Sequence, residues 1–421
     1  MTKNLSQPPR GTKDLHSQDI LHFNQIIDIA KQQAKNFGFA ELQTPIFEFS
    51  EVFCGLGESS DVVNKEIYTF LDRSQNSLTL RPEFTAAVAR AMVNNQELLQ
   101  NLPAKFFSYG PLFRYDRPQK GRQRQFHQIN YEFFGCDSIY TDAEALLLAS
   151  NILENLGVKN LVTCQINSLG CNQTKQNYSK ALYSYFADFA SQLSADSQNR
   201  LQKNPLRILD SKHENDLAII DNAPQITSFY SQQAQERFLQ LTNLLTKLNI
   251  SHTVNSRLVR GLDYYTSTVF EFIMQHAGAQ NTVLAGGRYD NLLANMGNKN
   301  QVPAIGFACG IERLMLISQY QPNQAKNIAV CYVENHQQEQ AFSLANSLRN
   351  QNITVFMVQD AGLKKQLKYA NHQNCQIALI LGEDELKNNS VLCKNLLTAN
   401  QKLVPLADIT NFLTHPTNDN F

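Results

Sequence analysis

The sequence predicts an α+β protein with a separate α/β region towards its C-terminal end. The first observation is residues 105–135, which have the pattern of two strands joined by a basic loop. The second is residues 17–37, where apolar side chains at helical spacing predict an amphipathic helix that ends at Gly38. The third is the alternation of strand-like and helix-like runs after Lys326, which is typical of a mostly parallel sheet.

The basic loop is the strongest indication of a ligand site. Residues 114–124 carry five cations and one anion, whereas the whole chain has 37 basic and 37 acidic residues. Arginine binds phosphate through paired hydrogen bonds, so this loop suits a nucleotide or RNA. The alternative is a solvated hairpin tip. The following strand favours a site, because its period of two places Gln128, Asn130 and Glu132 on one face.

The chain divides into three parts by composition and pattern. Residues 172–240 are rich in Gln, Ser and Asn and contain helical stretches without a catalytic pattern. We interpret them as a helical insertion in a larger domain formed by residues 1–171 and 241–320. A linker at residues 320–324 leads to an α/β domain, residues 326–421.

Composition excludes several classes of protein. With 43% hydrophobic and 18% charged residues, the chain is globular rather than disordered. Its neutral charge balance argues against non-specific coating of nucleic acid. No apolar run approaches ~18 residues, so we expect no membrane span, no secretion and a cytoplasmic location. The eight cysteines form no CxxC pair, and we expect buried free thiols and no structural metal site.

A strand-to-helix turn near residue 310 is a second candidate for nucleotide binding. No GxxxxGK[ST] motif occurs, which excludes a P-loop. In GFACGIERL, Gly310 would let a flat ring approach the backbone, and Arg313 could lie over it. The alternative is an ordinary turn with a solvated arginine. His127, on the apolar face of its strand, and His213, in a polar loop, are interpreted as structural.

Several motifs together resemble one enzyme family. FRYDRPQKGRQRQFHQ, at residues 113–128, resembles motif 2 of class II aminoacyl-tRNA synthetases, and of the histidyl-tRNA synthetase family in particular. The other segments follow in the family's order: motif 1 at residues 38–48, a histidine-specific peptide at 258–272, a second such stretch at 285–293 and motif 3 at 303–314. The similarity spans nearly the whole chain.

This resemblance implies a fold and an activity. The fold would be an antiparallel class II sheet flanked by helices, with the helical insertion and a C-terminal α/β domain that binds the anticodon. The activity would be ATP-dependent conversion of L-histidine to histidyl-adenylate and transfer to tRNA(His), with Mg²⁺ carried by ATP. Motif 1 implies a homodimer. Because Pro45 cannot donate to a ladder, its strand should lie at an edge or an interface.

The resemblance also implies roles for individual residues. Arg114 and Arg260 would be catalytic, placed on opposite sides of the α-phosphate of ATP. For Arg260, the alternative is a salt bridge with Asp263. The remaining residues would bind ATP (Arg313, Gly310), the histidine ammonium (Glu83, Thr85, Gln128), the imidazole (Glu132, Tyr265, with Tyr264 beside them) and tRNA (Gln119, Lys120, Arg122, Arg124).

Two features leave alternatives open. Phe84 stands where the family's pattern has a small residue, which puts the local backbone in question. Tyr264 and Tyr265 could also be ordinary core aromatics. At the level of function, the alternatives are a synthetase-like regulatory subunit of ATP phosphoribosyltransferase and a class II synthetase for another amino acid. The C-terminal domain and the intact motifs 2 and 3 argue against the first, and LVRGLDYY argues against the second.

Overall fold

The computed structural model describes residues 6–54, 66–275, 282–321 and 327–414. The chain forms two compact units, Met1–Gln321 and Pro322–Phe421. The strands of the first unit are β1 (Ala40–Glu41), β2 (Phe47–Phe49), β3 (Tyr68–Leu71), β4 (Ser77–Leu80), β5 (Ala104–Phe113), β6 (Gln125–Phe134), β7 (Val162–Ser168), β8 (His252–Val254), β9 (Thr268–Met274), β10 (Thr282–Arg288) and β11 (Ala304–Gly310).

The helices of the first unit surround these strands. In chain order they are α1 (Ser17–Asn36), α2 (Glu51–Cys54), α3 (Thr85–Asn94), α4 (Gln96–Gln100), α5 (Ile139–Asn155), α6 (Asn172–Ala187), α7 (Ala195–Lys203), α8 (Glu214–Ile220), α9 (Gln232–Lys247), α10 (Leu292–Asn295) and α11 (Ile311–Ile317). Short 3-10 helices lie at Lys159–Leu161, Pro205–Asp210 and Ile226–Phe229.

An eight-stranded sheet in the order β1-β5-β6-β11-β10-β9-β7-β8 is the frame of the first unit. Its interior pairs are antiparallel, and the pairs at the two edges, β1 with β5 and β7 with β8, are parallel. This confirms the predicted antiparallel sheet flanked by helices. One face of β6, with Ile129, Tyr131 and Phe133, joins the core formed with α1 and α5. The other face carries Gln128, Asn130 and Glu132.

Helix α1 forms where the apolar spacing predicts it. Phe23, Ile26, Ile27 and Ala30 are buried against the sheet, and Gly38 follows the helix with φ +74°. Glycine reaches this left-handed conformation without the steric penalty of a Cβ atom. The predicted helix and its glycine terminus are therefore both confirmed.

His127 contacts the carboxylate of Glu312 and the ring of the core residue Phe23. Its Nδ1 lies 2.8 Å from Oε1 of Glu312, and its ring meets the Phe23 ring edge-on at 4.9 Å between centroids. His213, by contrast, is exposed and directly precedes α8. Both environments agree with structural histidines.

The strand-like run around Pro45 is split between two sheets. On one side of the proline, β1 lies at the edge of the eight-stranded sheet. On the other side, β2 lies at the edge of a three-stranded antiparallel sheet with the order β2-β4-β3. The prediction of an edge strand is confirmed on both sides, and Pro45 itself lies between the two strands, where it donates to neither ladder.

The helical insertion contains α6, α7 and α8, and α9 follows it. The expected boundary between residues 240 and 241 falls inside α9, which is continuous from Gln232 to Lys247. Leu241 and Leu245 in this helix are buried in the same core as the apolar face of α5. By its packing, the second half of α9 thus belongs to the sheet domain, although its sequence resembles the insertion.

The second unit is an α/β structure built on five strands: β12 (Ile328–Tyr332), β13 (Val355–Phe356), β14 (Ile377–Leu381), β15 (Ser390–Asn395) and β16 (Gln401–Pro405). Its helices are α12 (Gln338–Arg349), α13 (Leu363–His372), α14 (Glu383–Lys387) and α15 (Ile409–Thr414). The strand order is β13-β12-β14-β15-β16.

This second sheet is mixed, so the expectation of a mostly parallel sheet is wrong. Strands β13, β12 and β14 are parallel, and β14, β15 and β16 are antiparallel. A parallel pair needs a long crossover connection, whereas β15 and β16 are joined by a short turn that permits antiparallel pairing alone. The expected linker at residues 320–324 lies partly outside the described residues, from residue 322 onward.

Most described cysteines are buried free thiols. Cys164, Cys309, Cys331, Cys375 and Cys393 are buried, Cys136 is partly buried and Cys171 is exposed. The side chain of Cys54 lies outside the described residues. The prediction of buried thiols is wrong for Cys171, because it stands at the N-terminal cap of α6. Over the residues described here, no helix combines the length and apolar character needed to cross a membrane.

Candidate active site

A cleft lies over the polar face of β6, between that strand, β10, β11 and the segment before β9. The expected site residues that line it are Glu83, Thr85, Arg114, Arg122, Gln128, Arg260, Tyr264, Tyr265, Gly310 and Arg313. These residues come from five separate parts of the chain, and the sheet order brings them together. Glu132 lies beneath the lining, and Gln119, Lys120 and Arg124 lie away from it.

Arg114 directly follows β5 and is oriented by the backbone. Its Nε donates to the carbonyl of Pro82 at 2.9 Å, and its guanidinium lies 5.2 Å from the centre of the Phe126 ring. Burial lowers the pKa of Arg114, while the nearby charges of Glu66 and Glu83 raise it. Arginine stays charged in proteins, so this partly desolvated cation favours an anionic ligand.

Arg260 lies on the segment between β8 and β9 and pairs with a strand residue. Its guanidinium donates to Oε2 of Glu271 at 2.8 Å. The proposed alternative of a salt bridge to Asp263 is therefore wrong about the partner, because Asp263 faces Asn204 and Arg207 instead. The buried Nε of Arg260 has no hydrogen-bond partner among the described residues. The Arg260 side chain thus lines the cleft with one buried donor left unpaired.

Arg313 stands in the first turn of α11, as the strand-to-helix pattern predicts. Its Nε donates to the carbonyl of Gly121 at 3.1 Å, and its guanidinium also donates to the carbonyl of Thr282. Burial, followed by repulsion from Arg114, Arg122 and Arg260, lowers the pKa of Arg313 to about 10. Four guanidinium groups that repel one another in one cleft indicate a polyanionic ligand.

Glu132 is fully buried in a closed hydrogen-bond network. Thr85 Oγ1 donates to its Oε1 at 2.5 Å, Asn130 Nδ2 donates to the same oxygen at 3.0 Å, and the Tyr289 hydroxyl donates to Oε2. Burial raises the pKa of Glu132 to about 7, although these three donors lower it. A Cβ atom at position 306 would overlap Oε2, so only glycine fits there.

Three residues of this network were not predicted as site residues. Tyr289 is 1% exposed and reaches Glu132 from the residue after β10. Asn130 shares the strand face of Glu132, so the period of two does indicate its position. Gly306 pairs with Glu132 across the β6–β11 ladder. Tyr289 and Gly306 lie within the second histidine-specific stretch and motif 3, but neither motif specifies Glu132 as their neighbour.

Glu83 and Thr85 meet at the start of α3. The Glu83 carboxylate accepts the backbone N–H groups of Thr85 and Ala86, each at 2.7 Å. Burial raises the pKa of Glu83, and these two hydrogen bonds lower it. The intervening Phe84 is 1% exposed, and the Arg81 guanidinium lies 4.4 Å above its ring. A large residue is thus accommodated here by stacking, and Glu83 and Thr85 on either side still line the cleft.

The tyrosine pair is part of the core and of the cleft at once. Tyr264 and Tyr265 are each 8% exposed, and their ring centroids lie 4.7 Å apart. Burial raises the pKa of both phenols, so both stay neutral donors near pH 7. Both also line the cleft, as does Gln128. The two interpretations of this pair are therefore compatible.

The basic loop is folded back on itself. Arg122 forms ion pairs with Asp116 and, at 3.3 Å, with Glu66. The Arg124 guanidinium lies 3.9 Å above the Tyr115 ring. Gln119 and Lys120 are exposed at the tip. The four residues expected to contact tRNA thus fall into two inner arginines with protein partners and two outer side chains that face solvent.

A largely antiparallel sheet of this order with an arginine-lined cleft is typical of the class II aminoacyl-tRNA synthetases. Residues 11–314 match the family model described as histidyl-tRNA synthetase, and residues 327–415 match the model described as anticodon binding domain. The chain is 47% identical over 405 residues to the histidine–tRNA ligase of Wolbachia sp. subsp. Brugia malayi, covering 96% of this chain and 97% of that protein. The chain belongs to the histidyl-tRNA synthetase family.

Further relatives agree with this assignment. The histidine–tRNA ligase of Rickettsia conorii is 44% identical over 414 residues, which is 98% of this chain and 100% of that protein. The structure of apo histidyl-tRNA synthetase from S. aureus superposes with a TM-score of 0.81 at 30% identity, over 97% of this chain and 99% of that one. A Bacillus halodurans structure described as an ATP phosphoribosyltransferase regulatory subunit/histidyl-tRNA synthetase shares the fold, with a TM-score of 0.65 at 20% identity over 90% of this chain and 98% of that one.

Proposed function

We propose that this chain activates L-histidine with ATP and transfers the histidyl group to tRNA(His), the reaction of a histidine–tRNA ligase. The observation that carries the proposal is one cleft with two chemically different sets of groups. Four guanidinium groups line it, and the buried carboxylate of Glu132 lies beneath the lining, bonded to Thr85 and Tyr289. The first suits the phosphates of ATP, and the second suits a side chain that offers an N–H donor.

Activation is a displacement at the α-phosphate of ATP. The histidine carboxylate forms the new bond to phosphorus, and pyrophosphate leaves with the electron pair of the broken bond. The carboxylate is already ionised near neutral pH, so the step needs no general base. Arg114 and Arg260 stabilise the negative charge that develops on the phosphate oxygens, because both are held in place before the reaction. Arg313 and Gly310 bind the rest of the nucleotide.

The histidine end of the cleft reads a cation and an imidazole. Glu83, Thr85 and Gln128 supply the acceptors that a three-donor ammonium group needs. Glu132 and Tyr265 read the two imidazole nitrogens, with Tyr264 beside them. An apolar amino acid has neither imidazole nitrogen to pair with the polar groups at this end, so discrimination of roughly 10⁴-fold or more is expected.

Mg²⁺ fits this site as an ion that enters with ATP. No group of three or more His, Cys, Asp or Glu among the described residues is arranged to hold a metal. The cleft carboxylates of Asp116 and Glu312 are engaged by Arg122 and His127. Mg²⁺ commonly keeps phosphate and water ligands and takes one or two protein carboxylates, and it neutralises phosphate charge. Exchange that continued at full rate in excess EDTA would contradict this assignment.

The second unit is proposed to contact the anticodon of tRNA(His). Its support is the match of residues 327–415 to an anticodon binding domain.

A cytoplasmic location is proposed because aminoacyl-tRNA is made for translation. Fluorescence of a tagged chain confined to another compartment would contradict that location.

A homodimer is proposed from the exposed apolar side of the small sheet. Phe47 and Phe49 on β2 are 52% and 55% exposed, and Phe70 and Leu71 on β3 are 43% and 60% exposed. The register of β2 and β3 against β4 places Phe47, Phe49 and Phe70 on one face, where the Phe47 and Phe70 rings lie 6.3 Å apart, so these three side chains form one patch, and Leu71 lies on the other face. A contiguous apolar patch on a soluble surface marks an interface, and β2 follows the motif 1 proline. A monomer in sedimentation velocity at micromolar concentration would contradict the dimer.

ATP–pyrophosphate exchange with each of the twenty amino acids tests the proposed function most directly. We expect exchange with histidine and background rates with the other nineteen. Exchange with a different amino acid would assign the chain to another class II synthetase. Absence of exchange from a folded preparation, together with binding to ATP phosphoribosyltransferase, would favour the regulatory-subunit alternative. The 44% and 47% identical relatives, both histidine–tRNA ligases, make that alternative the weaker one.

Replacement of Lys120 should separate activation from transfer. Lys120 is exposed at the loop tip and lies away from the cleft. Lys120→Ala should leave pyrophosphate exchange near wild type and slow aminoacylation. The slope of log K for tRNA binding against log salt should fall by about one unit, because one phosphate contact is lost.

Arg124→Ala is the matched comparison for Lys120→Ala. The sequence predicts the same behaviour for both residues. However, Arg124 also stacks on Tyr115 and donates to the carbonyl of Asp116 at 3.2 Å, so its loss should disturb the loop and slow exchange as well. Equal losses of exchange and aminoacylation in Lys120→Ala would assign Lys120 to the ATP site alone.

The buried Glu132 should make stability depend on pH. Its folded pKa of about 7 lies above its ordinary value of 4.5, so its contribution to stability is fully present below pH 4.5 and is lost as the pH rises through 7. Relative to Glu132→Gln, the wild type should lose roughly 2–3 kcal/mol of apparent unfolding free energy between pH 5 and pH 8. Denaturant unfolding of both proteins at the two pH values measures the difference. A constant difference would show that Glu132 titrates normally.

A further inference from the structure

The segment between β8 and β9, residues 255–267, is here called the site loop. It has no regular secondary structure, yet it carries Arg260, Tyr264 and Tyr265 into the cleft. Loops without ladder hydrogen bonds are ordinarily the least stable parts of a structure. A catalytic arginine on such a loop must be fixed by other contacts, because small displacements reduce catalysis strongly.

Helix α6 of the insertion supplies the first of these contacts. Lys175, in its first turn, donates from Nζ to the backbone carbonyl of Asp263 at 3.1 Å and to that of Tyr265 at 3.0 Å. One ammonium group thus binds the backbone carbonyls on both sides of Tyr264. The amine is largely buried, which lowers the pKa of Lys175, while the charge of Asp263 raises it.

The 3-10 helix Pro205–Asp210 supplies the second and third contacts. Arg207 donates to the carbonyl of Gly261 at 2.6 Å, and its guanidinium lies 4.0 Å from Oδ1 of Asp263. Asn204 donates from Nδ2 to that same Oδ1 at 2.9 Å. Arg207 is only 5% exposed. The insertion therefore contacts the loop at Gly261, Asp263 and Tyr265, just after Arg260, in addition to the exposed pair of Arg257 with Asp221 near the start of the loop.

Burial of a lysine and an arginine is unfavourable unless their hydrogen bonds are satisfied. Apolar residues would fill the same space without that penalty. Here the cations meet three backbone carbonyls and one carboxylate of the site loop, an arrangement that specifies one loop conformation. Charged hydrogen bonds of this kind are stronger than neutral ones and have defined directions.

We propose that Lys175, Asn204 and Arg207 are positioning residues, through which the helical insertion holds Arg260 and Tyr265 in place for histidine activation. This inference rests on the proposed function for the roles of Arg260 and Tyr265. The insertion, which has no catalytic pattern in its sequence, is on this proposal a part of the activation site. Its three side chains act through the loop and touch no substrate.

Lys175→Met tests the proposal, because methionine keeps the length of the side chain and removes its donors. Lys180→Met, an exposed lysine further along α6, is the matched control. We expect kcat/KM for histidine in pyrophosphate exchange to fall roughly 10- to 100-fold in Lys175→Met, with a smaller change in the KM for ATP. Lys180→Met should behave as wild type, and Lys175→Arg should recover part of the loss. A lowered Tm with an unchanged kcat/KM for histidine would overturn the proposal.

A double-mutant comparison separates positioning from general destabilisation. If Lys175 acts through Tyr265, Lys175→Met should cost much less in a Tyr265→Phe background than in wild type. Fully multiplicative losses would overturn the link to Tyr265. If Lys175→Met does not fold, Asn204→Ser decides by the same measurements, since serine still caps the 3-10 helix but cannot reach Asp263.

Hydrogen exchange tests the grip on the loop without any reaction. In the ligand-free protein, amides of residues 258–266 should exchange faster in Lys175→Met than in Lys180→Met. Equal exchange in the two variants would overturn the proposal. If the wild type does not activate histidine, the proposed function fails on that result, and hydrogen exchange alone decides whether the insertion orders the loop.

Discussion

Arg260→Ala is expected to reduce histidine-dependent pyrophosphate exchange by about 10²- to 10³-fold, with the fold retained. The physical reason is a preorganised cation at the phosphate where charge develops, whose loss costs on the order of 3 kcal/mol. Arg260 is held by its 2.8 Å contact with Glu271, and its side chain lines the cleft. The rate should fall at saturating histidine and ATP, because the contact strengthens in the transition state.

Arg257→Ala is the matched control for this variant. Arg257 lies on the same loop but pairs with Asp221 at 2.7 Å, and Asp221 is exposed. This pair also joins the loop to the insertion, but it lies before Arg260 and is open to solvent, so we expect near-wild-type exchange from the variant, because an exposed pair contributes little. Comparable rates in Arg260→Ala and Arg257→Ala, in folded preparations, would remove Arg260 from the mechanism. Thermal unfolding of both variants checks that the comparison is between native proteins.

Glu132→Gln is expected to raise the KM for histidine by about 10- to 150-fold, with a much smaller effect on the KM for ATP. Glutamine has nearly the same shape but replaces a carboxylate oxygen by an amide donor. An imidazole N–H would then face a weaker or absent acceptor in a closed pocket, a loss of roughly 1–3 kcal/mol. Initial-rate exchange with each substrate varied separately measures the two constants.

Glu48→Gln controls for the loss of a buried carboxylate as such. Glu48 is 8% exposed, forms an ion pair with Arg90 and lies outside the cleft lining. Its replacement should lower stability and leave the KM for histidine unchanged. An equal rise in the KM for ATP and for histidine in Glu132→Gln would show that Glu132 shapes the whole cleft and does not read the imidazole.

The unfolding measurement and the kinetic measurement on Glu132 answer separate questions. The pKa of about 7 reflects burial in the ligand-free protein, where three neutral donors surround the carboxylate. The dependence of the unfolding free energy on pH therefore tests the environment of Glu132. The KM for histidine tests its role. A variant can change one measurement without the other, so agreement between them would strengthen both assignments.

Local periodicity in the sequence predicts much of the fold. The spacing of Phe23, Ile27 and Ala30 predicts α1, and Gly38 predicts its end, because both signals depend on residues within one or two turns. The alternation along β6 likewise places Gln128 and Glu132 on the same face. The mixed order of the second sheet was not predictable in this way. Whether two strands of that sheet pair in parallel depends on whether the connection between them is long enough for a crossover. In short runs the sequence pattern does not distinguish a helical connection from a turn, so the direction of pairing could not be predicted.

Motifs in the sequence identified most residues of the cleft, since each motif is a short run with its own residue pattern. Arg114, Arg260 and Arg313 come from three separate motifs, and the sheet order brings all three to one cleft. What the motifs could not supply is the set of partners. The ion pair of Arg260 with Glu271 crosses from a loop to a strand, and no spacing rule connects the two.

The amino-acid sequence was thus sufficient for the family, the main elements and the identity of most cleft residues. The three-dimensional packing was needed to show that Glu132 is closed in by Tyr289 and Gly306, that α9 packs with the sheet domain, and that the insertion binds the site loop. The physical reason is the distance along the chain over which each kind of interaction acts. Periodicity and capping act between near neighbours in the chain, whereas hydrogen bonds and burial join residues whose proximity is set by strand register and helix packing.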